Sequence, residues 1–465
     1  VNVDAAPRRP ARALRRRLPI AVLAVAAVEV VAAILGRGSP SLVVADLLVT
    51  LTPGPLATWF LGTFRAAARP LAALVAAAGL IVTVTGLLVL LRPGGRAADD
   101  GAPDPSRRRV LDLGAAAVAA LGAIGLVRAA RGSGVVAGDG GATAGPAGAA
   151  RLPAVPTPLP AVTAAQDLAP TVPGLSPVLT PVPDFYRIDT AMIVPRVDAG
   201  SWRLRIHGMV AREVTLTFDE LVDLGVVERD VTISCVSNEV GGDLVGTQRW
   251  TGVPLQRVLD LAGPDPAATQ LVGRSVDSWT AGFPTALAAS PDALVAVGMG
   301  GAPLPARHGF PARLVVAGLY GYVSATKWLT ELELTTWDEF DGFWISRGWA
   351  KEGPVKTASR IDVPRDGVGV TAGTVTAAGV AWAPGRGIAG VEVRVDGGPW
   401  RPATLSEPLA DTTWVQWTCD LDLAAGTRVL EVRAVDGDGE VQSEGPRAVL
   451  PDGAEGWHRR EVRVV

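Results

Sequence analysis

Cysteine is scarce in this chain: of 465 residues only Cys235 and Cys419 carry a thiol. Two thiols so far apart in the chain leave an iron–sulfur cluster, a Cys-rich zinc site and a c-type haem attachment unsupported. Any redox metal must therefore be held mainly by something other than the chain's own sulfur. An excess of positive charge is missing too. Forty-three Lys and Arg against 46 Asp and Glu leave a net charge of −3, which offers no nucleic-acid footprint. No internal repeat or heptad pattern appears. What is abundant is Ala, Gly, Val and Pro, with positive mean hydropathy. In a chain too long for one domain, this points to a membrane portion joined to soluble domains.

Leu18 to Leu35 is almost wholly apolar and follows Arg8, Arg9, Arg12, Arg15, Arg16 and Arg17. It reads as a transmembrane helix with a cytoplasmic N-terminus, and no small-residue cleavage site clearly follows to make it a signal peptide. Glu29 inside it reads as a partner-facing or snorkelling carboxylate. Leu71 to Leu91 and Val110 to Val127 make two further spans. Leu42 to Phe64, broken by Pro53-Gly54-Pro55, fits an interfacial or re-entrant piece better. Three spans put the arginine-rich loop Arg92 to Arg109 inside and everything after Arg131 outside. Ser106-Arg107-Arg108-Arg109-Val110-Leu111 resembles an internal twin-arginine export signal, which would carry an already folded protein. The alternative is an ordinary cytoplasmic arginine cluster at a helix end. The expected location is the plasma membrane, with the bulk of the chain on the extracytoplasmic side.

The expected fold class is α+β, laid out as a membrane anchor over residues 1–130, a Gly/Ala/Pro-rich tether over 131–184, a mixed α+β domain over 185–364 and an immunoglobulin-like β-sandwich over 365–465. In the mixed domain, Trp202 to His207 and Glu213 to Thr217 read as a strand pair, and Thr217-Phe-Asp-Glu220 as a capping box. Val253 to Leu261 has helical spacing, while Ala293 to Val297 and Ala312 to Ala317 read as buried strands. In the sandwich, Val391 to Val395 alternates into a turn at Asp396-Gly397, and Thr413 to Cys419 and Arg428 to Val435 alternate again.

Cys235 ends the β-type run Arg229 to Cys235 and enters Val-Ser-Asn238-Glu239-Val-Gly241-Gly242. A thiolate at a strand end, before a loop tight enough to need two glycines, can present sulfur to a metal or substrate. The plainer reading is a small buried hydrophobe. A third reading joins Cys235 to Cys419 as a disulfide.

Thr232-Ile-Ser-Cys235-Val-Ser-Asn238, Trp250-Thr-Gly252-Val-Pro-Leu255, His308-Gly-Phe-Pro-Ala-Arg313 and Gly321-Tyr-Val-Ser324-Ala-Thr326-Lys327-Trp328 together resemble the molybdopterin domain of the sulfite oxidase family. Trp457-His458-Arg459-Arg460 resembles the end of that family's dimerisation domain. The resemblance covers about Phe185 to Val465. It implies a molybdenum–molybdopterin cofactor with Cys235 as the protein's one ligand to the metal, since soft thiolate suits such a centre. It further implies that Arg313, Ser324, Thr326 and Lys327 meet the pterin phosphate, that His308 donates to the pterin ring system, and that Tyr186, Arg187 and Asp277 contact the cofactor. Asn238 and Trp349 fall on active-site positions, and dimerisation through the sandwich is a family expectation. For His207 and His458 structural roles are expected.

The resemblance fails where the family holds its dianion. Glu239 and Val240 follow Asn238, Ile188 falls on the arginine of the entry motif with Arg187 one place off, Val415 falls on the C-terminal arginine, and Trp349 replaces a tyrosine. A carboxylate beside the metal repels sulfite, so a small neutral substrate is expected, walled by Trp349 and Trp344. The expected reaction is oxygen-atom transfer. The apolar spans contain no histidine to ligate a b-type haem, so a separate cytochrome or quinone is the expected electron partner. The rival from another class is an exported scaffold that keeps the fold without the cofactor.

Overall fold

The computed structural model describes residues 151–191 and 193–465. Among the described residues, 151–189 and 197–465 form one compact unit, to which every element named below belongs. The three expected spans and the interfacial piece lie outside the described residues. Among the described residues no helix is long and apolar enough to cross a membrane.

The expected α+β class is corrected to a mainly β structure: strands hold 39% of the described residues and helices 9%. Among the described residues the α-helices are α1 (Phe218–Asp223), α2 (Leu255–Asp260) and α3 (Gly321–Ser324), none longer than six residues. The physical reason is visible at α2. Its helical spacing takes effect only from Leu255, because residues 245–254 are drawn into a strand that ladders with a neighbour on each side. The capping box at α1 forms as the sequence implies: the Thr217 hydroxyl accepts from Glu220 N–H at 3.2 Å, and the Glu220 carboxylate accepts from Thr217 N–H at 2.8 Å.

Two sheets build the first half. In one, β1 (Leu204–Gly208) lies between β2 (Val214–Leu216) and, in parallel, β10 (Leu329–Thr335), followed by β5 (Gln270–Ser275) and β6 (Thr280–Pro284). In the other, β3 (Val227–Ser234) pairs with β4 (Val245–Pro254), then β7 (Ala293–Met299), which carries β8 (Ala302–Pro303) and β9 (Arg313–Val316). Leu204, Ile206, Leu271, Leu294, Leu314 and Leu332 lie in their common core and are fully buried.

The C-terminal part is a two-sheet sandwich. One sheet runs β11 (Ala358–Val363), β13 (Gly373–Trp382), β17 (Val415–Leu423), β16 (Thr404–Leu405). The other runs β12 (Gly369–Val370), β19 (His458–Val464), β18 (Gly426–Asp436), β14 (Ile388–Val395), β15 (Arg401–Pro402). Alternation along β14, β17 and β18 places Val391, Val393, Trp417, Leu421, Leu430 and Val432 in a second core. Asp396 and Gly397 turn β14 towards β15 with φ of 49° and 69°. Cys419 packs in this second core, and both cysteines are free thiols, which removes the disulfide reading.

From Arg151 the proline-rich stretch, expected to be a tether, lies along the unit. Arg249 donates to the Pro160 carbonyl at 2.9 Å, Gln416 Nε2 to the Ser176 carbonyl at 2.7 Å and Trp414 Nε1 to the Val178 carbonyl at 2.7 Å. Extended proline-rich backbone has no partners of its own, and these side chains provide them.

Candidate active site

Cys235 follows the last residue of β3, and its backbone is fixed on both sides. Cys235 N–H donates to the Leu244 carbonyl at 2.9 Å, and Asn238 N–H donates to the Cys235 carbonyl at 3.0 Å. Asn238 Oδ1 then accepts from Leu244 N–H at 2.9 Å, closing the loop across its mouth. Both glycines of the loop are required. A Cβ on Gly241 would meet the His458 ring at 2.4 Å, and one on Gly242 would meet Asn238 Oδ1 at 2.6 Å. His458 has its own structural task, since Nδ1 accepts from Ile361 N–H at 2.9 Å. His207 is paired with Glu331 at 2.8 Å on the sheet of β1 and β10. The Cys235 thiol is pushed up by burial, opposed by hydrogen bonds from Ser237 N–H and its hydroxyl and by the charge of Lys327. Ser237 was not among the expected residues.

Two residues of the resemblance, Lys327 and Tyr186, are electrostatic neighbours of that thiol. The Tyr186 phenol is held far above its ordinary value by burial and then by Cys235, with Arg313 opposing. His308 is pushed down to about 3 by burial and by the cations Arg313, Lys327 and Arg307, so its ring is neutral. Its ring bonds the Val182 carbonyl while Nε2 is buried with no partner. Arg313, at the start of β9, donates to the carbonyls of His308 (3.2 Å) and Leu314 (3.3 Å) and stands 5.0 Å from the centre of the Trp250 ring. Burial pushes it down to about 10, with Tyr186 opposing.

Lys327 lies between α3 and β10 and donates to Asp189 Oδ2 at 2.7 Å; the same oxygen accepts from Arg187 Nε at 2.9 Å. Asp189 was also missed by the sequence reading. Gly309, at φ 110°, lets the two arms close up, because a Cβ there would lie 3.0 Å from Lys327 Cβ and 3.1 Å from Arg313 Cβ. Thr326 Oγ1 and Arg187 Nη2 are buried without partners. Ser324 spends its hydroxyl proton on the Tyr320 carbonyl at 3.1 Å. Asp277 sits in the turn joining β5 to β6, where Oδ1 accepts from Trp279 N–H at 3.2 Å; the adjacent Val276 N–H donates to the Trp328 carbonyl at 3.0 Å.

Trp349 belongs to an aromatic group beside this cluster, 5.7 Å from Tyr322 and 6.5 Å from Trp344 between ring centres, and its indole N–H is buried without a partner. Tyr320, two residues before Tyr322, is raised to about 12, chiefly by burial, and also feels Cys235. Next to the Cys235 loop is a cavity of about 350 Å³, reached by Ser234, Asn238, Glu239 and Tyr320 on one side and by sandwich residues on the other. Its two cations are already paired: Lys356 with Glu455 at 2.7 Å and Arg386 with Asp436 at 2.9 Å.

Lys327 is pushed down to about 8, chiefly by burial, with Asp189 pulling it back up. An unfolded lysine titrates near 10.4, so between about pH 8 and pH 10.4 the unfolded chain binds more protons and stability rises with pH. For the cofactor-free protein this residue is expected to add roughly 3 kcal/mol across that window. Urea unfolding at pH 7.5 and pH 10 checks it, and Lys327→Met should remove the residue's share of the rise.

Residues 191–344 match the family model for the oxidoreductase molybdopterin binding domain. The chain is 32% identical to mitochondrial sulfite oxidase of Homo sapiens over 343 residues, covering 62% of this chain and 62% of that protein, with the same figures for Macaca fascicularis. It thus spans less than two thirds of the length of these relatives. The solved sulfane dehydrogenase SoxCD from Paracoccus pantotrophus superposes with a TM-score of 0.55 at 22% identity, covering 62% of this chain and 82% of that one, a likeness of fold. The chain is also 30% identical to sulfite oxidase of Gallus gallus over 322 residues, 58% of this chain and 68% of that protein, and it belongs to the sulfite oxidase family of molybdenum–molybdopterin oxidoreductases.

Proposed function

We propose that this chain carries out oxygen-atom transfer at a molybdenum ligated by Cys235, on an uncharged substrate rather than on sulfite. The observation that carries the reading is a buried site supplied with more donors than it uses. Arg313 has backbone carbonyls as its hydrogen-bond partners, Lys327 and Arg187 share one carboxylate oxygen, and His308 Nε2, Thr326 Oγ1 and Arg187 Nη2 have no partner. Buried cations and polar groups left this way are costly unless an anion with several acceptors completes them. A pterin phosphate has that chemistry, so the residues fit the cofactor. Arg313, Lys327, Thr326 and Ser324 would hold the phosphate, with Asp277 at the neighbouring turn. Tyr186, Arg187 and His308 would face the pterin. His308 would reach the pterin through Nε2, which is buried without a partner. When bound, the molybdenum cofactor supplies two-electron oxygen-atom transfer.

The residues around Cys235 shape what can approach it. The lining of the adjacent cavity carries four carboxylates, Glu239, Asp436, Glu440 and Glu455, against two cations. Both cations are neutralised in place, so the local field opposes an anion. Trp349 and Trp344, expected as apolar walls, are not among the residues lining that cavity. Asn238 holds the loop by its hydrogen bond to Leu244, acting on Cys235 through the backbone. A cofactor-free scaffold would gain nothing from keeping Arg313 without a carboxylate and several orphaned polar atoms in its interior.

Electron exchange with a separate cytochrome or quinone, and an extracytoplasmic location, belong to the same proposal. The location rests on residues 8–35 and 106–111 and is tested by cell fractionation.

The deciding experiment measures molybdenum and pterin in the purified protein, then turnover on sulfite and on neutral sulfoxides or N-oxides with an artificial electron carrier. Near-stoichiometric metal and pterin are expected, with sulfite disfavoured by roughly a hundredfold or more in kcat/KM for want of charge-assisted bonds. Sulfite as the preferred substrate would refute the neutral-substrate reading, and a protein without molybdenum would refute the whole.

A further inference from the structure

We infer that Asp189 is a positioning residue that aims Lys327 at the phosphate and Arg187 at the pterin of the cofactor; this rests on the function proposed above. The carboxylate is 4% exposed and its Oδ2 takes both cations, Lys327 Nζ at 2.7 Å and Arg187 Nε at 2.9 Å. The two bonds are economical in donors. Lys327 spends one of its three ammonium protons on Asp189 while lying 4.9 Å from the centre of the Trp328 ring, so it is aimed and still has protons to give. Arg187 spends its Nε proton, and Nη2 remains buried and unpartnered. A pair built to neutralise itself would use the guanidinium fork on both carboxylate oxygens. Here the fork is turned away.

Position in the chain supports the same role. Asp189 and Arg187 belong to the segment that follows Phe185, whereas Lys327 lies between α3 and β10. Phe185 packs edge-on against His308 and Trp250, at 5.8 Å and 5.7 Å between ring centres. The segment is thereby set against the cluster before Asp189 reaches across it. A free lysine side chain samples many rotamers, and fixing it is a large part of the cost of using it. Asp189 meets that cost in advance. Its charge also favours the protonated form of Lys327 against burial.

The test compares the wild-type holoenzyme with Asp189→Asn, Asp189→Glu and Cys235→Ser, measuring bound pterin, its release rate after dilution, and the unfolding midpoint of the cofactor-free form. Asp189→Asn keeps the shape and removes the charge. It is expected to release pterin roughly 10- to 100-fold faster, the range typical of supports to ligating residues. Its cofactor-free unfolding midpoint should fall by proportionately less than retention does, since Lys327 can shed its proton once the carboxylate is neutral, and Asp189→Glu should restore most of the retention. Unchanged release in Asp189→Asn would overturn the inference, as would faster release matched by an equally weakened cofactor-free fold. If Asp189→Asn behaves as wild type while Cys235→Ser loses molybdenum, the proposed function stands and the role of Asp189 falls. A wild-type protein without pterin overturns both.

Discussion

Replacing Cys235 by serine is expected to lower turnover by roughly a hundredfold or more, since losing even an outer support of a metal ligand costs that order. The loss should be chemical rather than structural. The donors that serve the sulfur are Ser237 N–H and its hydroxyl, and a serine oxygen in the same place can accept from both. The buried hydroxyl is then not orphaned, and the stability cost is held to about 1 kcal/mol. The backbone bonds from Cys235 to Leu244 and from Asn238 to Cys235 involve no side-chain atom of residue 235. What cannot be replaced is soft thiolate character, because a serine hydroxyl does not ionise at neutral pH and suits molybdenum poorly. Metal analysis alongside steady-state turnover checks this, with unfolding midpoints of the cofactor-free forms as control. Wild-type molybdenum content and turnover in the variant would remove Cys235 from the metal.

Much of this site was legible in the sequence because its residues sit in short motifs with local consequences. A strand-end cysteine followed by an asparagine and two glycines implies a tight loop, and Gly241 and Gly242 prove necessary for steric reasons. Asp189 was invisible for the opposite reason. A single carboxylate near Arg187 reads as a local salt bridge, and nothing in the sequence says that Lys327, 138 residues away, meets it. Ser237 was passed over because a serine after a cysteine is unremarkable until its hydroxyl points back. The fold class was misjudged where propensity and pairing compete: Val253 to Leu261 has helical spacing, yet the ladders of β4 to β3 and β7 claim its first residues. That His308 would be neutral was out of reach, since it depends on its burial and on Arg313 and Lys327 gathering around it.

Arg313→Met is expected to move two measurements in opposite directions. Arg313 is 5% exposed, and burial pushes it down to about 10, so in the cofactor-free protein its charge is a liability. Methionine has similar length, can keep contact with the Trp250 ring through its sulfur, and carries no charge to desolvate. It gives up hydrogen bonds to the carbonyls of His308 and Leu314, about 1 kcal/mol each. Replacing buried charge with apolar volume often returns about 1–4 kcal/mol. The cofactor-free variant should therefore be as stable as wild type or more so. Cofactor retention should fall steeply, because truncating one partner of a buried charge pair costs about 2–5 kcal/mol, which is roughly 30-fold or more in affinity. Unfolding of the cofactor-free forms and pterin release from the loaded forms measure the two effects separately. A cation that merely held β9 in place would lower both together. A rise or no change in the first with loss of the second identifies a residue kept at a cost to the fold for the sake of an anion.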